Sequence, residues 1–263
     1  AHDYSILAGR PWLAHFPRPL PVHHMWQASH FGQSHSFTSE GKTYEMTVAS
    51  VTPSVFTIPN FLSNAECNEL IKLAKQEGLE QSTLQSGSTR ARQQHDKSTR
   101  SSSNTWVPRD TTELVDQIYR RAAHMLQIDE SLLQKKPEAG MHEHQHSIAE
   151  SLQVVRYKKK EEYTAHHDFV YPPTFHRHQP TRFATLLLYL NDKFEGGETV
   201  FPRAVNAKNH EGVSIEPRKG TAVLFYNMLP DGNMDDLSQH ASNPILKGEK
   251  WLANLWVWEP HIF

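Results

Sequence analysis

The sequence predicts an α+β fold that is mainly β, with a jelly-roll core over about Ser151 to Trp258 supported on one side by two N-terminal helices. Three observations carry this. Leu152 to Tyr157, Phe183 to Leu190, Thr221 to Phe225 and Trp251 to Trp258 are short aromatic or β-branched runs separated by Gly, Pro and Asn, as in the strands of a β-sandwich or jelly roll. Two earlier segments instead repeat apolar residues every three or four positions. The composition, 37% hydrophobic, 21% charged and 10% aromatic over 263 residues, is that of a folded chain long enough to bury one sizeable core.

Residues 1 to about 42 are rich in Pro, His, Ser and Gly without periodicity and read as an extended N-terminal arm. Tyr44, Met46 and Val48 alternate with polar partners, and Ser54 to Ile58 follows Pro53, which predicts two strands. Ser63 and Glu66 have the spacing of a capping box. The helix they open places Cys67, Leu70, Ile71 and Ala74 on one buried stripe, with Gly78 as its stop. Gln81 to Asn104 is Ser-, Gln- and Arg-rich and reads as a mobile loop, expected to fold over a bound ligand around Gln85 to Thr105. A second helix is expected from Asp110, which has capping spacing to Glu113, with Leu114, Ile118, Ala122, Met125 and Leu126 on its inner face. No stretch has the composition of an interdomain linker, so 43–263 is expected to form one domain, 43–150 carrying the first strands, the helices and the loop, and 151–259 the core.

Several function classes fall away on this reading. A formal charge of −2 argues against a nucleic-acid partner. No apolar run approaches the roughly 20 residues of a membrane helix. The single cysteine, Cys67, excludes an internal disulfide and a thiolate metal site and is expected in the core. There is no Gly-x-Ser-x-Gly elbow and no phosphate-binding glycine loop. Arg90 to Arg109 is basic, but it suits a loop better than a binding strip. His142, His144 and His146 alternate and could hold zinc or nickel on a strand; a solvated loop is the simpler expectation.

Chemistry concentrates in Tyr163-Thr164-Ala165-His166-His167-Asp168. In an extended chain His166 and Asp168 share a face and His167 points away. With one distant histidine, His240, they would complete a facial triad of two histidines and one carboxylate, which leaves open positions on Fe(II). His-x-Asp alone is weak in a chain with 18 histidines. Lys250, entering the last aromatic strand, adds to it, because an ammonium drawn into a barrel beside a metal needs an anionic partner, which a dicarboxylate would supply. Tyr157 and Tyr189 could reach the same anion, or serve as ordinary core aromatics.

Beyond these residues, a connected set of motifs resembles the 2-oxoglutarate-dependent prolyl 4-hydroxylases over roughly Val51 to Glu259. Phe61-Leu62-Ser63 through Leu70-Ile71 is similar to the family's first-helix segment, and Leu152 to Tyr157 with Tyr163, His166 and Asp168 to its first metal segment. Leu188 to Asn191, Gly196 to Pro202, Pro217 to Phe225, His240 and Lys247 to Trp251 follow in the same order. The resemblance implies a double-stranded β-helix (cupin-like) core, with iron on His166, Asp168 and His240 and Lys250 paired to the distal carboxylate of 2-oxoglutarate. It further implies Tyr157, Tyr189 and Thr199 as hydrogen-bonding partners of that co-substrate and Trp256 in the same cavity. Tyr163 and Arg182 match positions facing the peptide.

The implied reaction is 4-hydroxylation of prolyl residues in a peptide or protein, with O2 consumed, succinate and CO2 released, and ascorbate as a supporting reductant; the sequence leaves a structural proline-rich or collagen-like substrate and a regulatory one both open. Alternatives are an oxygenase for another residue or a free amino acid, and a peptide-binding module without turnover. The resemblance is compatible with the endoplasmic reticulum or secretory pathway; the sequence leaves localisation and oligomeric state open. Two departures stand out: Ser242 and Asn243 replace the usual Gly and Cys, and Lys158-Lys159-Lys160 stands where Gly is common. Neither is expected to touch a ligand.

Overall fold

The computed structural model describes residues 21, 23–82, 100–134, 147–169, 181–205 and 212–259. The strands are β1 (Ser34–Ser39), β2 (Lys42–Ser50), β3 (Val55–Ile58), β4 (Glu80–Gln81), β5 (Ser103–Val107), β6 (Leu152–Tyr157), β7 (Tyr163–His166) and β8 (Arg182–Tyr189). They continue with β9 (Glu195–Gly196), β10 (Thr199–Phe201), β11 (Val213–Ile215), β12 (Ala222–Tyr226), β13 (His240–Ser242), β14 (Ile245–Lys247) and β15 (Lys250–Trp258). Two helices, α1 (Asn64–Glu77) and α2 (Glu113–Leu126), precede the core strands.

A major sheet runs β1-β2-β3-β12-β8-β15-β6-β5-β4 and faces a smaller one, β11-β10-β13-β7, with β14 and β9 pairing separately. The strands that read as continuous apolar runs are buried on both faces, and their side chains divide by alternation. Leu186 and Leu188 of β8, Ala222 and Leu224 of β12, and Ala253 and Leu255 of β15 enter the core beneath the helices. Leu187, Tyr189, Val223, Phe225 and Leu252 point the other way, between the sheets, with Phe201 and Ile215 from the smaller sheet. In β15 the residues sharing that inner face at two-residue spacing are Lys250, Leu252, Asn254 and Trp256. The inner face of this jelly roll is therefore where polar groups concentrate.

The first helix forms as expected. Ser63 Oγ accepts from Glu66 N at 3.2 Å and the Glu66 carboxylate accepts from Ser63 N at 2.5 Å. Cys67, Leu70 and Ala74 are buried, whereas Ile71 is only partly so. The helix stops at Gly78, whose φ of 85° suits glycine. The second helix starts later than the spacing predicts. Arg109–Thr111 is a single 3-10 turn, and the cap is Thr112, whose hydroxyl accepts from Val115 N at 3.3 Å.

Two loop expectations are corrected. The arm does not run unstructured to residue 42: β1 and β2 form a hairpin around Glu40 and Gly41, both at positive φ (50° and 75°), the geometry of a tight two-residue turn. Before it, Trp26 anchors the chain, donating from Nε1 to Met125 O at 2.7 Å. Nor is the basic segment loose to its end. Arg100 is buried and Ser103–Val107 is a strand of the major sheet paired with β6. The remainder of the expected lid, and the His142, His144 and His146 cluster, lie outside the described residues.

Candidate active site

Strand pairing brings the histidines together. His166 ends β7, His240 begins β13, and the two are direct antiparallel partners in the smaller sheet. Asp168 follows β7 by two residues and points at both. Its Oδ1 lies 3.6 Å from His166 Nε2 and its Oδ2 3.7 Å from His240 Nε2, and one ligand atom from each of the three falls within 4.8 Å of the others. Each histidine is held by its other nitrogen: His166 Nδ1 is 2.8 Å from Thr164 O and His240 Nδ1 is 3.1 Å from Ser238 O. A carbonyl can only accept, so Nδ1 carries the proton and Nε2 keeps its lone pair for a metal. His167, as alternation requires, turns away, with Nε2 3.0 Å from Asp236 O.

The carboxylate is oriented from behind. Asp168 Oδ2 accepts from Thr185 Oγ1 at 2.8 Å and Trp256 Nε1 at 2.9 Å, while Thr185 Oγ1 accepts from Asn227 Nδ2 at 2.9 Å. Burial would raise the pKa of Asp168, but His240 and His166 outweigh it and hold the carboxyl far below its usual range. Burial lowers His240 to about 4. The site therefore presents an ionised carboxylate and neutral imidazole, the forms that ligate a divalent cation.

Lys250 is completely buried. It pairs in register with Tyr157, and its Nζ donates to Gly197 O at 2.6 Å and Ser242 Oγ at 2.9 Å, 5.6 Å from the rings of Tyr157 and Tyr189. Among the described residues no carboxylate lies within 4 Å of it. Burial pulls its pKa down to about 7, with only Glu198 opposing. Tyr189 Oη donates to Thr199 Oγ1 at 2.7 Å on the same face. Burial raises the Tyr157 hydroxyl above its usual range. Gly197 makes room for the lysine: at φ 74°, a Cβ there would stand 2.5 Å from Ile245 Cδ1 and 3.2 Å from Lys250 Cδ. Ser242 corrects an expectation. The substitution of the usual glycine does touch the site, since its hydroxyl receives the ammonium.

Tyr163 stacks on His166 with ring centroids 3.5 Å apart, and the Arg100 guanidinium lies 4.7 Å above Tyr163. Arg182 lies 3.9 Å over the Trp256 ring and is gripped by Glu150 through two hydrogen bonds of 2.5 and 2.8 Å. Trp256 thus touches the Asp168 carboxylate, a more specific place than a general position in the cavity. Thr185, Asn227 and Glu150 escaped sequence reasoning. Thr185 had a signal, as the one hydroxyl in the apolar run Phe183 to Leu188.

The donor set fits the chemistry of a facial triad with iron, and the buried ammonium without a carboxylate fits a dianionic co-substrate. Residues 152–258 match the family model described as the 2OG-Fe(II) oxygenase superfamily. Over 221 residues the chain is 34% identical to probable prolyl 4-hydroxylase 8 of Arabidopsis thaliana, covering 80% of this chain and 70% of that protein. Prolyl 4-hydroxylase 5 of the same plant is likewise 34% identical, with 80% and 69% covered. Among solved structures, a viral collagen prolyl hydroxylase from Paramecium Bursaria Chlorella virus-1, in complex with 2-oxoglutarate, superposes with a TM-score of 0.57 at 28% identity over 78% of this chain and 95% of the other.

Proposed function

The chain belongs to the prolyl 4-hydroxylase family of 2OG-Fe(II) oxygenases, and from that membership we propose that it hydroxylates prolyl residues at the 4-position in a peptide or protein. The observation that supports this best is the pairing of the His166-Asp168-His240 cluster with a buried Lys250 that, among the described residues, has no carboxylate in ion-pair distance. A pure binding module needs neither.

His166, Asp168 and His240 would hold Fe(II), and Lys250 would hold the distal carboxylate of 2-oxoglutarate, with Tyr189, Thr199 and Tyr157 on the same inner face. Iron with 2-oxoglutarate supplies the oxidative decarboxylation that activates O2 and yields succinate and CO2. The chain's own residues position and protect. Thr185 and Trp256 fix the Asp168 carboxylate plane by hydrogen bonds. Phe225 and Phe201 pack at 4.6 and 5.7 Å against the His240 ring and keep water from that side. Tyr163, stacked on His166, and Arg182, stacked on Trp256, would face the bound peptide. Ascorbate as a supporting reductant rests on the family resemblance alone.

Peptide-dependent succinate release, with mass spectrometry of the peptide for hydroxyproline, tests the reading. His240→Ala and Asp168→Ala should each abolish both signals. An unaffected rate in either variant would sink the iron assignment, and product oxygen on a residue other than proline would move the substrate.

A further inference from the structure

An ammonium only donates hydrogen bonds, whereas a hydroxyl both accepts and donates. The 2.9 Å contact from Lys250 Nζ to Ser242 Oγ therefore has one direction, and it leaves the serine's own hydrogen to be placed. Buried hydroxyls commonly turn that hydrogen onto a nearby carbonyl, as Ser238 does onto Asp235 O at 2.7 Å. Ser242 does not. It is 8% exposed, and among the described residues no group accepts its hydrogen. A buried donor without an acceptor is unfavourable unless a ligand fills the place opposite it.

Its neighbours share the imbalance. Ser242 is the register partner of Thr199 on β10, so the two side chains stand side by side. Thr199 Oγ1 accepts from Tyr189 Oη at 2.7 Å, which leaves the threonine hydrogen without an acceptor among the described residues. Lys250 Nζ has Gly197 O and Ser242 Oγ as acceptors and keeps a further N–H. Donors from Lys250, Thr199 and Ser242 thus stand together at one end of the space between the sheets, where no carboxylate among the described residues lies within ion-pair distance of the ammonium. A carboxylate has about four lone-pair sites on its oxygens and accepts from all of these donors at once. Ser242 also lies two residues along β13 from His240, with burial that alternates in step, so it shares the face of the proposed iron ligand.

We propose that Ser242 binds the co-substrate, donating its hydroxyl hydrogen to the distal carboxylate of 2-oxoglutarate alongside Lys250 and Thr199. This rests on the reading that Lys250 holds that carboxylate, and it adds a donor that the glycine usual at this position in the family lacks. The serine has two bonds in line, one received from the lysine and one given to the carboxylate, and each strengthens the other. What it recognises is the anionic end of a keto diacid, not the chelating end.

The test separates that end of the ligand from the rest. Under anaerobic conditions the iron-loaded protein is titrated with 2-oxoglutarate and with 2-oxovalerate, which has a methyl group in place of the distal carboxylate. Binding is read from the visible charge-transfer absorbance of the keto acid on Fe(II), without turnover. Ser242→Ala should weaken 2-oxoglutarate on the order of tenfold and leave 2-oxovalerate unchanged, which also reports an intact fold. Equal losses for both ligands, or none for either, overturn the proposal. A cycle with Lys250→Met separates direct contact from support of the lysine. Ser242→Ala should weaken 2-oxoglutarate severalfold in that background too, and no further loss there would make Ser242 a prop for Lys250 alone. A wild type that binds the two keto acids alike overturns the lysine assignment together with the serine. The full pattern without hydroxyproline, once air and a proline-rich peptide are admitted, leaves Ser242 standing and overturns the proposed prolyl reaction instead.

Discussion

Replacing Lys250 with methionine should make the protein more stable near neutral pH while removing its grip on 2-oxoglutarate. In the fold the lysine is fully buried, and burial lowers its pKa from 10.5 to about 7. In the unfolded chain it returns to its ordinary value. Because the folded pKa lies below the unfolded one, the fold carries a penalty that is greatest at and below pH 7 and disappears as pH rises toward 10.5. The shift corresponds to about 4 kcal/mol at pH 7, and roughly 2 kcal/mol of that is relieved by pH 9. Methionine keeps the apolar stem and drops the charge, at the cost of leaving the Gly197 carbonyl and Ser242 hydroxyl without their donor, about 1–3 kcal/mol. Urea unfolding of the metal-free protein at pH 7 and pH 9 should therefore give a wild-type stability that gains about 2 kcal/mol relative to the variant's over that interval. Binding supplies the second arm. At pH 8 a lysine of pKa about 7 is mostly neutral, so pairing with a carboxylate should take up close to one proton, visible by calorimetry in buffers of different ionisation enthalpy. A variant with the same pH slope as wild type, or 2-oxoglutarate binding without proton uptake, would refute the argument.

Trp256→Phe removes the 2.9 Å donor to Asp168 but keeps an aromatic ring; iron affinity should fall about ten- to a hundredfold in a metal-competition titration, and an unchanged affinity would mean the indole only fills space. Thr185→Val breaks the chain from Asn227 to Asp168 and leaves the Asn227 amide buried without its acceptor, so denaturant unfolding should show a loss of about 1–3 kcal/mol together with weaker iron binding. Ser63→Ala deletes the cap of the first helix, far from the chemistry, and should cost about 1 kcal/mol in urea with unchanged turnover.

Much of this molecule is legible in its sequence because the relevant physics is local. Two-residue spacing puts His166 and Asp168 together and His167 outside, which is how they lie. Ser63 and Glu66 announce a capping box that forms as written. Local signals also mislead where two are adjacent. Asp110 has capping spacing, but Thr112 takes the cap because the chain first makes a 3-10 turn. The stretch before β5 is Ser-, Gln- and Arg-rich, yet Arg100 is buried through bonds to Ser102 and Gln153 and stacking on Tyr163, the last two invisible in its own neighbourhood.

Chain order and residue types thus determined the strands, the caps and the shared face of His166 and Asp168, since each depends on spacings of two to four residues, while the roles expected of the distant His240 and of Lys250 came from the resemblance to the family. Tertiary structure decided how those residues are held. That His240 lies opposite His166, that Thr185, Asn227 and Trp256 line up behind Asp168, and that Ser242 rather than a bare glycine receives Lys250 all follow from strand pairings between segments distant in sequence. Hydrogen bonds of this kind depend on sub-ångström placement of side chains from different strands, and such placement has no period along the chain.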